Sequence, residues 1–280
     1  MRIVLYRKSF LLICLLLILN ISDALANRDL AITIDDLPFV GSSKNYHLDM
    51  IINALSANEV PATGFVIAGE IGAKNWQILK KFRAAGLGLG NHTLSHANLN
   101  KMNSDSYIQE IEEADRILKP VLSKPKYFRY PYLAMSAGAK KSKVLEFLAL
   151  NNYKVAPITI DSRDFVFNQL LMAVPESERR GFLKVLKPCY LNFIWQQTLK
   201  AEQLNRANHK PDKAQILLIH ANLLNAYSLE DIISLYKENG YNFVSLKQAL
   251  NTRQASPKLV AALDKPHSDS IIEYFFDWDF

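Results

Sequence analysis

Hydrophobic and polar residues follow two alternating patterns along most of the chain. Short apolar runs, typical of buried strands, occur at Leu30–Ile34, Ala62–Ile67, Gly86–Gly90, Tyr127–Arg129, Lys154–Ile160, Ile216–His220 and Asn242–Val244. Between them lie stretches with helical periodicity, at Leu48–Asn58, Asn75–Ala85, Ser104–Leu122, Lys140–Asn152 and Ser228–Asn239. Strands and helices that alternate this often predict an α/β fold built on a parallel sheet or barrel.

Two stretches depart from this rhythm. Residues 165–214 are rich in helix-forming and basic residues and are broken by prolines, which predicts a helical insertion over the barrel rim; a plain structural excursion is the alternative. Residues 252–280 end in the acidic and aromatic segment Tyr274–Phe280, which we expect to pack on the barrel as a C-terminal tail, with a partner-binding tail as the alternative. The barrel itself is assigned to residues 27–251.

The first 26 residues have the pattern of a secretory signal peptide. Basic residues precede an apolar run from Phe10 to Leu19, and Ala24-Leu25-Ala26 supplies a small-x-small cleavage site. The apolar run is too short to span a bilayer, so no stable membrane anchor is expected after cleavage, although an uncleaved anchor is the alternative. These features predict export to the periplasm or out of the cell, with the mature chain beginning at Asn27.

Composition and charge exclude several functions. The chain is 49% hydrophobic and 21% charged, as in ordinary globular proteins, and its net charge of +6 falls to +4 without the signal peptide. That charge is too small and too dispersed to predict a nucleic-acid partner. Gly86–Gly90 lacks the spacing of a dinucleotide-binding loop and predicts a tightly packed strand. Cys189 is the one cysteine left after cleavage, so no internal disulfide is expected.

Two short polar motifs carry the candidate chemistry. The first is Thr33-Ile34-Asp35-Asp36, at the end of an apolar run, and the second is Asn91–His96. On a helical turn, His92 and His96 would share one face and could direct both imidazoles to one point. A carboxylate from elsewhere would complete a set of ligands that suits Zn²⁺ and leaves positions open for water. Adjacent carboxylates at a strand end are expected to point in different directions, so that one can bind metal while the other accepts a proton.

Three further motifs follow at predicted strand ends. They are Arg129-Tyr130-Pro131-Tyr132, Asp161-Ser162-Arg163-Asp164-Phe165 and Leu217-Leu218-Ile219-His220. With these five motifs the chain resembles the polysaccharide deacetylase family, the NodB-homology or carbohydrate esterase family 4 group. The family pattern is Thr-Phe-Asp-Asp, His-Ser/Thr-x-x-His, Arg-x-Pro-Tyr, Asp-x-x-Asp-Trp and Leu-x-Leu-x-His, in the same order.

The resemblance implies a distorted (β/α) barrel of seven strands and a metal-dependent hydrolysis of acetyl groups on an acetylated glycan. It implies that Asp36, His92 and His96 hold one divalent ion, Zn²⁺ in the first place, with Co²⁺, Ni²⁺ or Mn²⁺ as alternatives. It also implies that Asp35 is the general base and that Arg129 pairs with it.

The remaining roles also come from the resemblance. Tyr132 would donate its backbone N–H to the oxyanion, and Asp164 would orient His220 as the general acid. Phe165 and Leu218 would line the pocket for the acetyl methyl group. The family has Trp where this chain has Phe165, and the last motif is Leu-Leu-Ile-His here, so both departures concern the fit of the substrate.

The sequence leaves other functions open. N-acetyl groups are the expected target, and an O-acetyl esterase on the same scaffold is a close variant. A barrel that binds glycan without catalysis is a second class, although inactive relatives would be expected to lose Asp35 or His220. A non-haem iron enzyme with two histidines and one carboxylate is a third.

Overall fold

The structure is a computed structural model that describes residues 28–38, 44–73, 75–211 and 213–251, with the backbone alone for 44–46. The predicted signal peptide, residues 1–26, and the predicted tail, residues 252–280, lie outside the described residues. In the part of the chain that is described, no helix combines the length and apolar character needed to cross a bilayer.

All paired strands run parallel in one curled sheet. In chain order they are β1 (Asp29–Leu37), β2 (Ala62–Val66), β3 (Gly88–Asn91), β4 (Lys126–Phe128), β5 (Tyr153–Val155), β6 (Ile160–Asp161), β7 (Gln215–His220) and β8 (Asn242–Phe243). Their spatial order is β5-β4-β3-β2-β1-β7-β6, and β8 pairs with the start of β1. This sheet is the incomplete barrel that the alternating pattern predicted.

Helices connect the strands and cover the outside of the sheet. They are α1 (Lys44–Ala57), α2 (Asn75–Ala84), α3 (Ser104–Leu118), α4 (Gly138–Leu150), α5 (Asp164–Ala173), α6 (Arg179–Ala207), α7 (Leu223–Glu238) and α8 (Leu246–Asn251). Because the paired strands are parallel, their carboxyl ends lie at the same side of the barrel.

Strand β1 lies at the centre of the sheet and is buried on both faces. Leu30, Ile32 and Ile34 belong to the large core cluster that includes the helices, whereas Ala31 belongs to a separate cluster with Phe65 and other residues. This alternation is what a strand with period two requires when both of its faces are covered.

One predicted strand is two strands in the structure. Residues 154–160 were expected to form a single strand, but β5 and β6 lie at opposite ends of the sheet order. Pro157 between them has no backbone N–H to donate, and the chain crosses from one edge of the barrel to the other. The N–H of Ala156 still donates to Phe128, and that of Thr159 to Ile216.

The predicted insertion at 165–214 consists mainly of α5 and α6. These two helices connect β6 to β7 and pack against both strands and against α7. Helix α6 buries a stripe of residues, among them Leu186, Tyr190 and Ile194, at helical spacing. Pro188 within the helix obscured this periodicity in the sequence.

The glycine run around β3 is a tightly packed strand, as predicted. A Cβ on Gly88 would lie 2.9 Å from Thr63 Oγ1, and one on Gly90 would lie 2.6 Å from the Phe65 ring. Strand β3 can therefore approach its neighbours only because these positions lack side chains.

Gly90→Ala should destabilise the fold. The added Cβ would also lie 2.9 Å from the Tyr127 carbonyl oxygen, which is backbone and yields less than a side chain. We expect a loss of about 1–3 kcal/mol in the free energy of unfolding, measured with chemical denaturant. Gly181→Ala in α6 is the matched control, because among the described residues no atom outside its own helical turns lies within 4 Å of its added Cβ. Equal stability of Gly90→Ala and the wild type would contradict the packing described here.

Candidate active site

The carboxyl end of β1 carries the two adjacent carboxylates. The expected divergence of Asp35 and Asp36 is wrong, because the pairing register shifts between Ile34 and Leu37 and Asp36 has a φ of 62°. This irregularity breaks the alternation of the strand. As a result, one oxygen of Asp35 lies 3.8 Å from His92 Nε2, and one oxygen of Asp36 lies 3.5 Å from the same atom.

The two histidines converge without a helix. The prediction that His92 and His96 share a helical face is wrong, because residues 92–98 form a loop after β3. Thr93 has a φ of 66° and His96 a φ of 60°, values that no right-handed helix contains. The ring centroids of His92 and His96 nevertheless lie 5.0 Å apart.

Side chains that sequence reasoning missed hold this loop in place. Asn91 accepts a hydrogen bond from the Thr93 N–H at 2.8 Å, and Thr93 Oγ1 accepts one from the Ala97 N–H at 2.9 Å. Glu110 on α3 accepts from both the N–H and the hydroxyl of Ser95, at 2.8 and 3.0 Å. Asn91 stands directly before the first histidine, and an asparagine at such a position favours a turn in which its side chain binds the backbone two residues later.

Asp36, His92 and His96 bring three donor atoms together. Their ligand atoms lie within 4.8 Å of one another, and the Asp36 oxygen lies 3.5 Å from His92 Nε2 and 3.3 Å from His96 Nε2. A tetrahedral ion with bonds of about 2.1 Å separates its ligands by about 3.4 Å, so the spacing fits a metal such as zinc. The same Asp36 oxygen is buried and has no hydrogen-bond partner among the described residues.

The protonation of the cluster also suits a cation. His92 Nδ1 lies 2.8 Å from the Arg129 carbonyl oxygen, to which it can only donate, and this leaves the lone pair on Nε2. Burial, followed by the charge of His92, lowers the pKa of His96. Burial alone would raise the pKa of Asp36, but its close contact with His92 and the charges of the nearby histidines lower it to about 2. The residues therefore fit the divalent ion that the resemblance implies.

Arg129 is a buried cation beside Asp35. Its side chain is 1% exposed, and one of its terminal nitrogens lies 3.8 Å from the Asp35 carboxylate. The other donates to Thr33 Oγ1 at 3.0 Å, and the guanidinium lies 4.8 Å from the centre of the Phe65 ring. Burial lowers the pKa of Arg129 while the charges of Asp35 and Asp161 raise it, and a guanidinium stays protonated in this setting.

His220 stands next to Asp35 on the adjacent strand. The two residues are register partners, and His220 Nδ1 lies 2.7 Å from an oxygen of Asp164, at the start of α5. Burial alone would lower the pKa of His220, but the charge and hydrogen bond of Asp164, with Asp36 and Asp35, raise it to about 10. Burial likewise opposes the ionisation of Asp164, but its contacts with His220 and Asn222 lower the Asp164 pKa.

The predicted substrate-pocket residues surround these groups. The Tyr132 ring is 64% exposed and lies 4.4 Å from the His96 ring, centre to centre, with Tyr132 at a φ of 57°. Phe165 is 43% exposed, and its ring lies 6.3 Å from that of His220. Leu218 is buried on β7, two residues before His220, so the two side chains share a face of the strand.

Comparison with known proteins agrees with the motifs. Residues 23–151 match the family model described as polysaccharide deacetylase. The matched stretch includes the Asp35–Asp36 pair, both site histidines, Arg129 and Tyr132. Asp164 and His220 lie beyond it. The resemblance to the polysaccharide deacetylase family is thereby confirmed.

Curated relatives carry deacetylase names. The chain is 30% identical over 149 residues to a chitin deacetylase of Arthroderma benhamiae, which covers 52% of this chain and 37% of that protein. It is 30% identical over 138 residues to a peptidoglycan-N-acetylglucosamine deacetylase of Bacillus cereus, covering 49% of this chain and 46% of the relative. The chain thus spans less than half the length of these two relatives.

Solved structures show the same fold. The chitin deacetylase of Colletotrichum lindemuthianum aligns with a TM-score of 0.56 and 22% identity, over 82% of this chain and 89% of that one. A family 4 carbohydrate esterase pseudoenzyme from Bacillus anthracis aligns with a TM-score of 0.58 and 18% identity, over 82% and 67%. The predicted distorted (β/α) barrel is therefore confirmed.

The raised pKa of His220 predicts a pH-dependent contribution to stability. Because the folded-state pKa of about 10 exceeds the ordinary 6.5, His220 stabilises the metal-free protein fully below pH ~6.5 and loses that contribution as the pH rises towards 10. The melting temperatures of chelator-treated wild type and His220→Gln should differ most near pH 6 and approach each other by pH 10. A difference that stays constant over this range would contradict the assignment.

Proposed function

We propose that this protein is an exported, metal-dependent deacetylase that hydrolyses acetyl groups, N-acetyl groups in particular, on a glycan. The observation that carries the proposal is the pairing of Asp35 with His220 on adjacent strands. The three-ligand cluster lies on one side of this pair, and the Asp164 carboxylate lies on the other. The same end of the barrel thus holds the proposed base, the proposed acid and the three candidate ligands of a cation.

Asp35 is the proposed general base. It is 3% exposed, and its Oδ1 has no hydrogen-bond partner among the described residues. The Arg129 guanidinium lies 3.8 Å from the Asp35 carboxylate and offsets its negative charge. Asp35 can therefore accept a proton from a water molecule at the mouth of the site.

His220 is the proposed general acid. An amine leaves poorly from a tetrahedral intermediate unless it is protonated, and histidine is the side chain most often used for this transfer. Asp164 occupies Nδ1 of the ring and stabilises the imidazolium form, so Nε2 carries the proton to be donated. The Tyr132 backbone N–H is the proposed donor to the oxyanion, and Phe165 and Leu218 the proposed walls of the acetyl pocket.

Asp36, His92 and His96 would hold the divalent ion, for which Zn²⁺ is proposed and Co²⁺, Ni²⁺ and Mn²⁺ are alternatives. When bound there, the ion supplies a water of lowered pKa, near ~7, and an electrophile for the acetyl carbonyl. Thr33 supports this part of the site indirectly, because its hydroxyl positions the Arg129 guanidinium.

The substrate class is proposed from the family. Relatives named as chitin and peptidoglycan-N-acetylglucosamine deacetylases share the acetamido group in their named substrates. An O-acetyl group on the same scaffold is the close alternative. Export to the periplasm or the medium, after cleavage near Ala26, completes the proposal and fits a glycan substrate outside the cytoplasm.

A non-catalytic barrel is the second candidate. It is favoured by one observation, the similarity in fold to a family 4 pseudoenzyme. Asp35 and His220 are both present in this chain with the contacts described above, and these contacts favour catalysis.

The proposal predicts that removing the acid affects substrates unequally. His220→Ala should lose about 10²–10⁴-fold in acetate release from an N-acetylated oligosaccharide, but much less on an aryl acetate, whose leaving group needs little protonation. Asp35→Asn is the matched comparison and should lose on both substrates, because both need an activated water. Acetate release is measured for each variant on both substrates. Equal losses by His220→Ala would exclude it as the leaving-group acid, and wild type inactive with every divalent ion would favour the non-catalytic barrel.

A further inference from the structure

The carboxylate that orients His220 is itself held by the side-chain amides of Asn222, which caps α7, and Asn225, in its first turn. Asp164 is fully buried, and one of its oxygens accepts from the His220 backbone N–H at 2.7 Å and from Asn222 Nδ2 at 2.8 Å. Asn225 Nδ2 donates to the same oxygen. A buried carboxylate with this many donors keeps both its charge and its position.

Asn225 connects Asp164 to the backbone of the acid. Its Nδ2 donates to the Asp164 carboxylate and also, at 2.9 Å, to the His220 carbonyl oxygen. Both partners are acceptors, so the amide nitrogen must face them and the amide oxygen must point away. That buried oxygen then needs a donor of its own.

The donor comes from helix α6. Tyr190 OH donates to Asn225 Oδ1 at 2.8 Å, and both residues are fully buried. The Tyr190 ring packs against Phe167 of α5, with ring centres 5.2 Å apart. Burial, followed by the charge of Asp164, raises the pKa of Tyr190, so the hydroxyl keeps its proton.

From these contacts we propose that Tyr190 and Asn225 are positioning residues for His220, acting through Asp164. Neither side chain lies among the reacting groups. They fix the carboxylate that sets the ring orientation and charge of the acid. This proposal rests on the proposed function for its catalytic consequence, and it assigns a role to α6 beyond packing. Both residues lie outside the stretch that matches the family model.

Tyr190→Phe tests the proposal because it removes one hydroxyl and keeps the ring. Loss of such an outer hydrogen bond is expected to lower acetate release from an N-acetylated oligosaccharide about tenfold, with a change of less than about twofold on an aryl acetate. Tyr236→Phe is the matched control. Tyr236 lies on α7 and is as buried as Tyr190, and its hydroxyl lies 2.7 Å from Thr198 Oγ1 on α6, away from Asp164 and Asn225 in the hydrogen-bond pattern. The control should show no selective loss.

Asn225→Ala provides a second variant. It removes the contacts to the Asp164 carboxylate and to the His220 carbonyl oxygen, and it should reproduce the selective loss with a larger magnitude. Equal losses on the two substrates, or the same selectivity in Tyr236→Phe, would overturn the proposal.

A readout independent of activity separates this proposal from the proposed function. In proton NMR of the purified protein, the ring N–H of His220 that donates to Asp164 is identified by its absence in His220→Ala. Its signal should shift in Tyr190→Phe and stay in place in Tyr236→Phe. An unchanged signal in Tyr190→Phe overturns the positioning role. A shifted signal in a protein that releases no acetate from any substrate upholds the positioning role and rejects the deacetylase.

Discussion

Buried negative charge at the carboxyl end of β1 is the constraint on which the rest of the site depends. Asp35 is 3% exposed, and a carboxylate in such a place is costly unless cations and donors surround it. Arg129 follows β4, His92 follows β3 and His220 ends β7, so three different strands bring the compensating groups. Only a curled parallel sheet places all these strand ends around one point.

The sequence predicts the parts of the molecule that depend on local pattern. The strands near residues 30, 62, 88, 126 and 216, and the helices between them, follow from apolar periodicity. The motifs at their ends also lie together in the structure. Parallel topology explains this agreement, because a motif that follows a strand is placed at the same rim whatever its loop does.

The same reasoning failed where conformation depends on tertiary contacts. The spacing of His92 and His96 allows a helical turn, but Asn91 and Glu110 stabilise a loop with positive φ values. Aspartate is uncommon in strands and tolerates a positive φ, but Asp35 and Asp36 share both properties, so the sequence does not show which of them carries the irregularity in β1. The split between β5 and β6 was foreshadowed by Pro157, whose missing N–H interrupts a strand.

The proposed acid depends on a different part of the chain from the metal cluster. The match to the family model covers the cluster and Arg129 and ends at residue 151. Asp164 and Tyr190 belong to the two helices that connect β6 to β7, and His220 ends β7. For these residues the proposed roles rest on the contacts in the structure. The two halves of the proposed chemistry are thus supported by different observations, and they meet only through the pairing of β1 with β7.

The central claim, a three-ligand site for a divalent ion, is tested most directly by metal content. Purified wild type, His209→Ala, and the His92→Ala, His96→Ala double variant are compared by elemental analysis after exposure to Zn²⁺ and dialysis. His209 is an exposed histidine and serves as the control. The account predicts about one ion per chain in wild type and control, and none in the double variant. An unchanged metal content in the double variant would contradict it.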